Sequence, residues 1–219
     1  MITFQDIKSN EKIRAFIKEA YNSLNAIGYT EHGFAHVGLV AERAGYILKE
    51  LGYCERDVEL AKIAAFMHDI GNIVNRRDHA QSGAIIAFRL LDNMGMEPNE
   101  LAKVVTAIGN HDEGTGGAVN PIAAALILGD KTDVRRTRVS ETDKSKFDVH
   151  DRVNYSVISS ELKFNESKTE LVLSLDVDTD ISSVMDYFEI FLERMVMCKK
   201  SSKHLGVTFA LIVNGQKIA

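Results

Sequence analysis

The sequence predicts a mainly α fold: a helical bundle followed by a small α+β segment with an antiparallel sheet. Three observations predict it. Apolar residues recur at helical spacing through roughly the first 138 positions. Cap residues and first-turn prolines stand where those stripes begin. After about Val139 the period of the pattern drops to two.

Taken in order, Asn10 is placed to cap a helix whose stripe is Ile13, Phe16, Ile17, Ala20, Tyr21 and Leu24. A second stripe, Val37, Val40, Ala44, Ile47, Leu48 and Leu51, stops before Gly52. A third runs through Val58, Ala61, Ala64, Ala65 and Phe66 to His68, and Gly71 supplies a break. Asp78 and Gln81 have the form of a capping box opening a helix that lasts until Gly95. Pro98 suits a first helical position, in a helix ending near His111. Asn120-Pro121 repeats that signal ahead of an apolar helix through Asp130. Ser140–Asp148 is polar and reads as a linker. Beyond it Val153, Tyr155 and Val157 alternate with polar residues, as do Leu171, Leu173, Leu175 and Val177. Both read as strands, the second following a hairpin turn at Asn165–Lys168. A helix over Ser182–Lys203 and a strand over Val207–Val213 complete the chain. Two domains are expected: residues 1–139, all-α, and residues 140–219, a small α+β unit with a dimerising or regulatory role.

Composition narrows the function classes. A 45% hydrophobic, 26% charged chain has the apolar content of a folded domain, not of a disordered one. A net charge of −5 argues against general nucleic-acid binding. Two cysteines, Cys54 and Cys198, cannot build a disulfide framework. The opening MITFQDIKSNEKIR has no apolar h-region, and the apolar run Ile122–Leu128 is far short of the roughly 18 residues that span a bilayer. A cytoplasmic protein without membrane contact is expected.

The chemistry-bearing residues are concentrated. Five of the seven histidines, His32, His36, His68, His79 and His111, fall within 80 residues, each beside an apolar stripe. A single helical histidine is more often a hydrogen-bonded residue than a ligand. Asp130, in an apolar helix, is harder to place that way, because a buried carboxylate without a partner is costly. A bound cation would compensate it, and neutral imidazoles with ionised carboxylates form such a site.

The pattern His36, His68-Asp69 and Asp130, with AAFMHDIGN around the pair and ALILGDKTD around the last member, resembles the HD superfamily of metal-dependent phosphohydrolases. The resemblance covers roughly residues 30–138. The segments RRDHAQSGAIIAFRLL and GNHDEG further resemble members with two extra histidines between the HD pair and the last aspartate. Those include cyclic-dinucleotide phosphodiesterases of the HD-GYP type, diadenosine-polyphosphate hydrolases and di-iron oxygenases. The resemblance implies an all-α bundle with a dinuclear centre. His36, His68, Asp69 and Asp130 would hold one metal, and Asp69 would bridge to a second completed by His79 and His111. No cysteine is in the set, which disfavours soft-metal sites and leaves iron, manganese, nickel, cobalt and zinc open. Two features depart from relatives: Asn72 stands where many have the lysine of HDIGK, and NHDEG (Asn110–Gly114) carries no GYP.

A phosphoester substrate needs positive charge beyond the metals. Lys131, next to Asp130, is the expected catalytic partner of Asp69 and a substrate contact; Arg76, Arg77 and Arg135 are further phosphate candidates. The expected function is hydrolysis of a phosphoester or phosphoanhydride, of a nucleotide or dinucleotide, by metal-activated hydroxide. A di-iron oxygenase with the same six ligands and a non-catalytic, regulatory nucleotide-binding module are the alternatives. The expected partner is a small phosphorylated substrate. Phe188, Phe191, Leu192, Met195 and Val196 read as a face packed on the appendage's sheet, part of it available as a homodimer seam. GTGG (Gly114–Gly117) lacks the continuation of a P-loop and reads as a mobile loop at the site mouth.

Overall fold

The stripes become helices close to where they were expected, in a computed structural model that describes residues 1–218. They are α2 (Glu11–Ala26), α3 (Phe34–Glu50), α4 (Glu55–Met67), α5 (His79–Asn93), α6 (Pro98–Gly109) and α7 (Pro121–Lys131). A short α1 (Phe4–Ser9), capped by Thr3, precedes them. The expected caps are present at α2, where Asn10 Oδ1 accepts from Lys12 N and Ile13 N, and at α7, where Asn120 Oδ1 accepts from Ala123 N. The capping box expected at α5 is absent: Asp78 lies in the left-handed region (φ 57°) and its side chain caps nothing.

The C-terminal part consists of α8 (Val149–Ser156), β1 (Val157–Phe164), β2 (Glu170–Val177), α9 (Val184–His204), β3 (Thr208–Val213) and a two-residue β4 (Gln216–Lys217). Two expectations are corrected here. The strand read through Val153 and Tyr155 is the helix α8, opened by Asp148, whose carboxylate accepts from Asp151 N at 2.8 Å. Val153 and Val157 are both buried, and a spacing of four satisfies a helix as well as a strand. The sheet, expected to be antiparallel, is mixed. Its order is β1-β2-β3-β4, with β1/β2 and β3/β4 antiparallel but β2/β3 parallel in register Leu173↔Leu211. The cause is the connection: α9 carries the chain back along its own length, so β3 re-enters the sheet in the direction of β2.

At the centre lies α7, in which Ile122 through Leu128 are all buried. A helix apolar on every side must be covered on every side, and α3, α4, α6 and α9 cover it. Buried residues from Ile7 to Val213 form one hydrophobic cluster, shared by the parts on either side of residue 139. Of the expected α9 face, Phe191 and Met195 are buried in that cluster, whereas Leu192 and Val196 are exposed. Among the described residues no helix is long and apolar enough to cross a membrane.

Candidate metal centre

Each of the six expected ligands stands at or beside a helix end. His36 is in the first turn of α3, His68-Asp69 follows α4, His79 opens α5, His111 follows α6, and Asp130 is in the last turn of α7. A 3₁₀ turn over Ile70–Ile73 carries the chain from the His-Asp pair towards α5. Glycine is required within it: a Cβ on Gly71 would lie 2.0 Å from the His79 carbonyl oxygen and 2.4 Å from Gly83 N. That close approach lets His79 reach Asp69.

The side chains converge. His36 Nε2 lies 3.3 Å from Asp130 Oδ1 and 3.7 Å from Asp69 Oδ2. His68 Nε2 lies 3.3 Å from Asp69 Oδ2 and 3.7 Å from Asp130 Oδ1. The other oxygen, Asp69 Oδ1, is 3.6 Å from His79 Nε2, and His79 Nε2 is 3.1 Å from His111 Nε2. His36, His68 and Asp130 form one group with metal-ligand spacing, and His68, Asp69 and His111 form a second. The second group differs from the expected division, since His68 is shared and His79 stands at its rim.

Hydrogen bonds on the far side of each ring explain why the Nε2 atoms face inward. Nδ1 of His36 faces Asp133 Oδ2 (2.7 Å), and Nδ1 of His68, His79 and His111 faces the carbonyls of Ala65 (2.7 Å), Arg76 (3.1 Å) and Ile108 (2.6 Å). At His68, His79 and His111 the facing carbonyl only accepts, so Nδ1 donates to it and Nε2 is the atom turned towards the centre; at His36, Nδ1 faces both the Asp133 carboxylate and the Arg138 guanidinium (Nη1 at 2.5 Å), which together fix the direction of the ring. Lone pairs 3.1 Å apart on His79 and His111 repel unless a cation or proton lies between them. Asp69 Oδ2 and the Nε2 atoms of His36 and His68 are buried and lack a hydrogen-bond partner among the described residues. Orphaned acceptors of this kind cost free energy unless a cation satisfies them, so the donor set fits a metal.

Burial lowers the His79 pKa and pushes that of His111 well below the usual imidazole range, keeping both neutral. At His68 burial acts in the same sense, but Asp69 and Asp130 outweigh it and raise the value. Asp69 and Asp130 stay ionised: burial opposes their charge, but His68 beside Asp69 and Lys131 beside Asp130 hold the two carboxyls well below the usual range.

A family model described as HD domain matches residues 33–152, more than half of the chain. The chain belongs to the HD domain family. A curated relative, the uncharacterized protein MJ1020 of Methanocaldococcus jannaschii, is 27% identical over 198 residues, covering 78% of this chain and 76% of the relative. The HD pair is therefore His68-Asp69, at the centre of the cluster.

Around this HD centre the expected phosphate contacts divide. Arg76 points inward, its Nη1 3.9 Å from Asp69 Oδ1 and 3.4 Å from Asn72 Oδ1. Lys131 is buried, with Nζ held by Asp130 Oδ2 (2.7 Å) and Glu113 Oε2 (3.0 Å). Those two carboxylates outweigh burial and raise its pKa, so it is a fixed, charged partner of a ligand. Arg135 binds Asp133 Oδ1 (2.7 Å) and Thr137, and Arg77 lies on the surface, 91% exposed. The structure does not bring these two to the cluster. Loop 114–117 is tied back, Gly116 N and Gly117 N donating to the Asp112 and Asn110 carbonyls.

Sequence reasoning missed Asp133, Glu113 and Arg194, and it gave Asn72 no role. Asp133 orients His36 and is itself bound by Arg138 Nη1 at 3.0 Å. Asn72, in the position of the common lysine, turns inward and donates to Asp69 Oδ1 at 2.9 Å. Glu113 bridges Lys131 to Arg194 Nε (2.9 Å). The available signal was spacing: Asp133 follows Asp130 by three positions, where a helix end brings both to one side.

Proposed function

We propose that this HD domain protein is a dinuclear-metal phosphohydrolase acting on a small phosphoester or phosphoanhydride, with nucleotides as the first class to test. One observation carries the reading. Asp69 divides its two oxygens, Oδ2 towards His36 and His68 and Oδ1 towards His79. Such a division suits a carboxylate that bridges two cations and offsets their repulsion. His36, His68, Asp69 and Asp130 would hold one ion, and Asp69, His79 and His111 the other. A bound pair supplies Lewis acidity, acidifying water towards neutral pH and offsetting charge on phosphoryl oxygens.

The rest of the chemistry belongs to the chain. Asp133 and the three carbonyls orient the imidazoles. Asn72 holds Asp69 in its two-sided orientation. Lys131 steadies Asp130, and Arg76 is placed to meet a nonbridging oxygen of a substrate.

The test is metal analysis of the purified protein combined with turnover of p-nitrophenyl phosphate, bis(p-nitrophenyl) phosphate and nucleotides. Replacing Asp69→Ala is expected to lower bound metal and abolish turnover together. Full metal stoichiometry in that variant would exclude the bridge. Dioxygen uptake by the iron form without any phosphatase activity would favour an oxygenase instead.

A further inference from the structure

A cavity of about 470 Å³ opens beside the metal centre, within the size range of small-molecule sites, roughly 300–1,000 Å³. Tyr29 and His32 line it from the α2–α3 connection, Arg76 from the segment before α5, and Arg138 from the segment after α7. Its remaining wall, with His150 on α8 and Arg194 on α9, is largely C-terminal to the bundle. The cavity adjoins the ligands. Arg76 approaches Asp69, and the His32 ring lies 5.6 Å from that of His36.

Arg194 is held at two points. Its Nε lies 2.9 Å from Glu113 Oε1, and its guanidinium carbon sits 4.7 Å above the Phe191 ring. Its two terminal nitrogens bond to nothing among the described residues, and the side chain is 29% exposed. Arg138, by contrast, is 5% exposed, with Nη1 committed to Asp133 and a buried Nε that lacks a partner. The acidic groups of the cavity are largely engaged. Asp133 is bound by Arg135, Arg138 and His36, and Asp148 caps α8. Asp151 beside it has a pKa raised by burial and by Asp148. The guanidinium best placed to receive a new anion, together with Arg76, is therefore that of Arg194.

We propose that Arg194 is a substrate-binding residue, its terminal nitrogens receiving nonbridging oxygens of a phosphorylated small molecule beside Arg76. On this view α9, which lies beyond the family-matched residues 33–152, completes the substrate pocket, with Glu113 and Phe191 as the positioning residues. The inference rests on the hydrolase reading above. A rigid fork pre-set by an ion pair and a stacked ring loses little freedom on binding.

The experiment uses the full-length, manganese-loaded protein. Calorimetry gives the Kd of inorganic phosphate, and p-nitrophenyl phosphate gives kcat and KM separately. In Arg194→Gln, phosphate Kd and KM are expected to rise about tenfold or more, as for a lost charged hydrogen bond, with kcat and bound metal nearly unchanged. Arg194→Lys keeps a charge for Glu113 but loses the fork, so an intermediate rise of about threefold is expected. Should the glutamine variant lose its native circular dichroism, the lysine variant decides. Unchanged Kd and KM in a folded variant of an active protein would overturn the role of α9 alone. A matched fall in kcat and metal content would overturn it too, showing that Arg194 acts through the metal centre. No phosphate binding and no turnover by the unmodified protein would instead overturn the hydrolase reading itself.

Discussion

At the scale of single residues, Asp133 controls the centre without facing it. Its Oδ2 lies 2.7 Å from His36 Nδ1, and its charge is balanced by Arg135 and Arg138. Asp133→Asn keeps the shape and removes the charge that favours the inward-facing His36 lone pair. Metal affinity is expected to fall about 10–100-fold, the range for such outer partners, as read by calorimetric titration with Mn²⁺. An unchanged affinity would mean that backbone packing alone sets the ring. The inward-facing groups were legible through their order along the chain, His36, His68-Asp69, His79, His111 and Asp130, which resembles the HD pattern, since a helical histidine taken singly is more often a hydrogen-bonded residue than a ligand. Asp133 and Glu113 were not, because a carboxylate near a helix end looks the same whether it meets solvent or a buried ring. Arg77 and Arg135 misled for the related reason that nearness along the chain does not set the direction of a side chain.

At the scale of elements, the helices were legible from their stripes and caps, and the errors have physical causes. α8 is short enough that Val153 and Val157 fit two periods at once, and only the Asp148 cap separates them. The parallel pairing of β2 and β3 was implicit in the strand–helix–strand order, which a 21-residue helix between two strands imposes. The contact of the 3₁₀ turn with α5 carried no periodic signal, since it depends on a missing side chain. Gly71→Ala would push a methyl group against the His79 carbonyl and Gly83 N, backbone atoms that cannot swing aside. We expect a loss of about 3 kcal/mol, the upper part of the usual overpacking range, together with reduced metal binding as His79 is displaced. Gly38→Ala in α3 is the control: a Cβ there meets nothing within 4 Å, and a gain of about 0.5–1 kcal/mol is expected. Thermal melts with metal analysis check both, and a Gly71→Ala melt at the unmodified temperature would refute the close-approach argument.

At the scale of the whole molecule, the C-terminal part is bound to the bundle by more than its linker. Arg43 of α3 donates to Thr132 Oγ1 (3.1 Å) and to the Ser160 carbonyl of β1 (3.0 Å), and Tyr46 Oη accepts from Phe164 N. Glu113 reaches Arg194, and α9 covers a side of α7 that is apolar throughout. A chain ending at residue 139 would expose that side of α7, break the Arg43 contact to β1 and strip Glu113 of one cation. Exposed apolar surface on a central helix is costly, at roughly 25 cal/mol per Å², and a marginally stable fold has little reserve against it. The full chain is therefore expected to unfold in one transition, with far- and near-ultraviolet circular dichroism coinciding. The 1–139 fragment is expected to aggregate or remain unfolded and to bind no metal at the six ligands. A soluble, helical fragment with native metal stoichiometry, or two separated transitions in the full chain, would show that the bundle stands alone and that α9 is an addition to a finished domain.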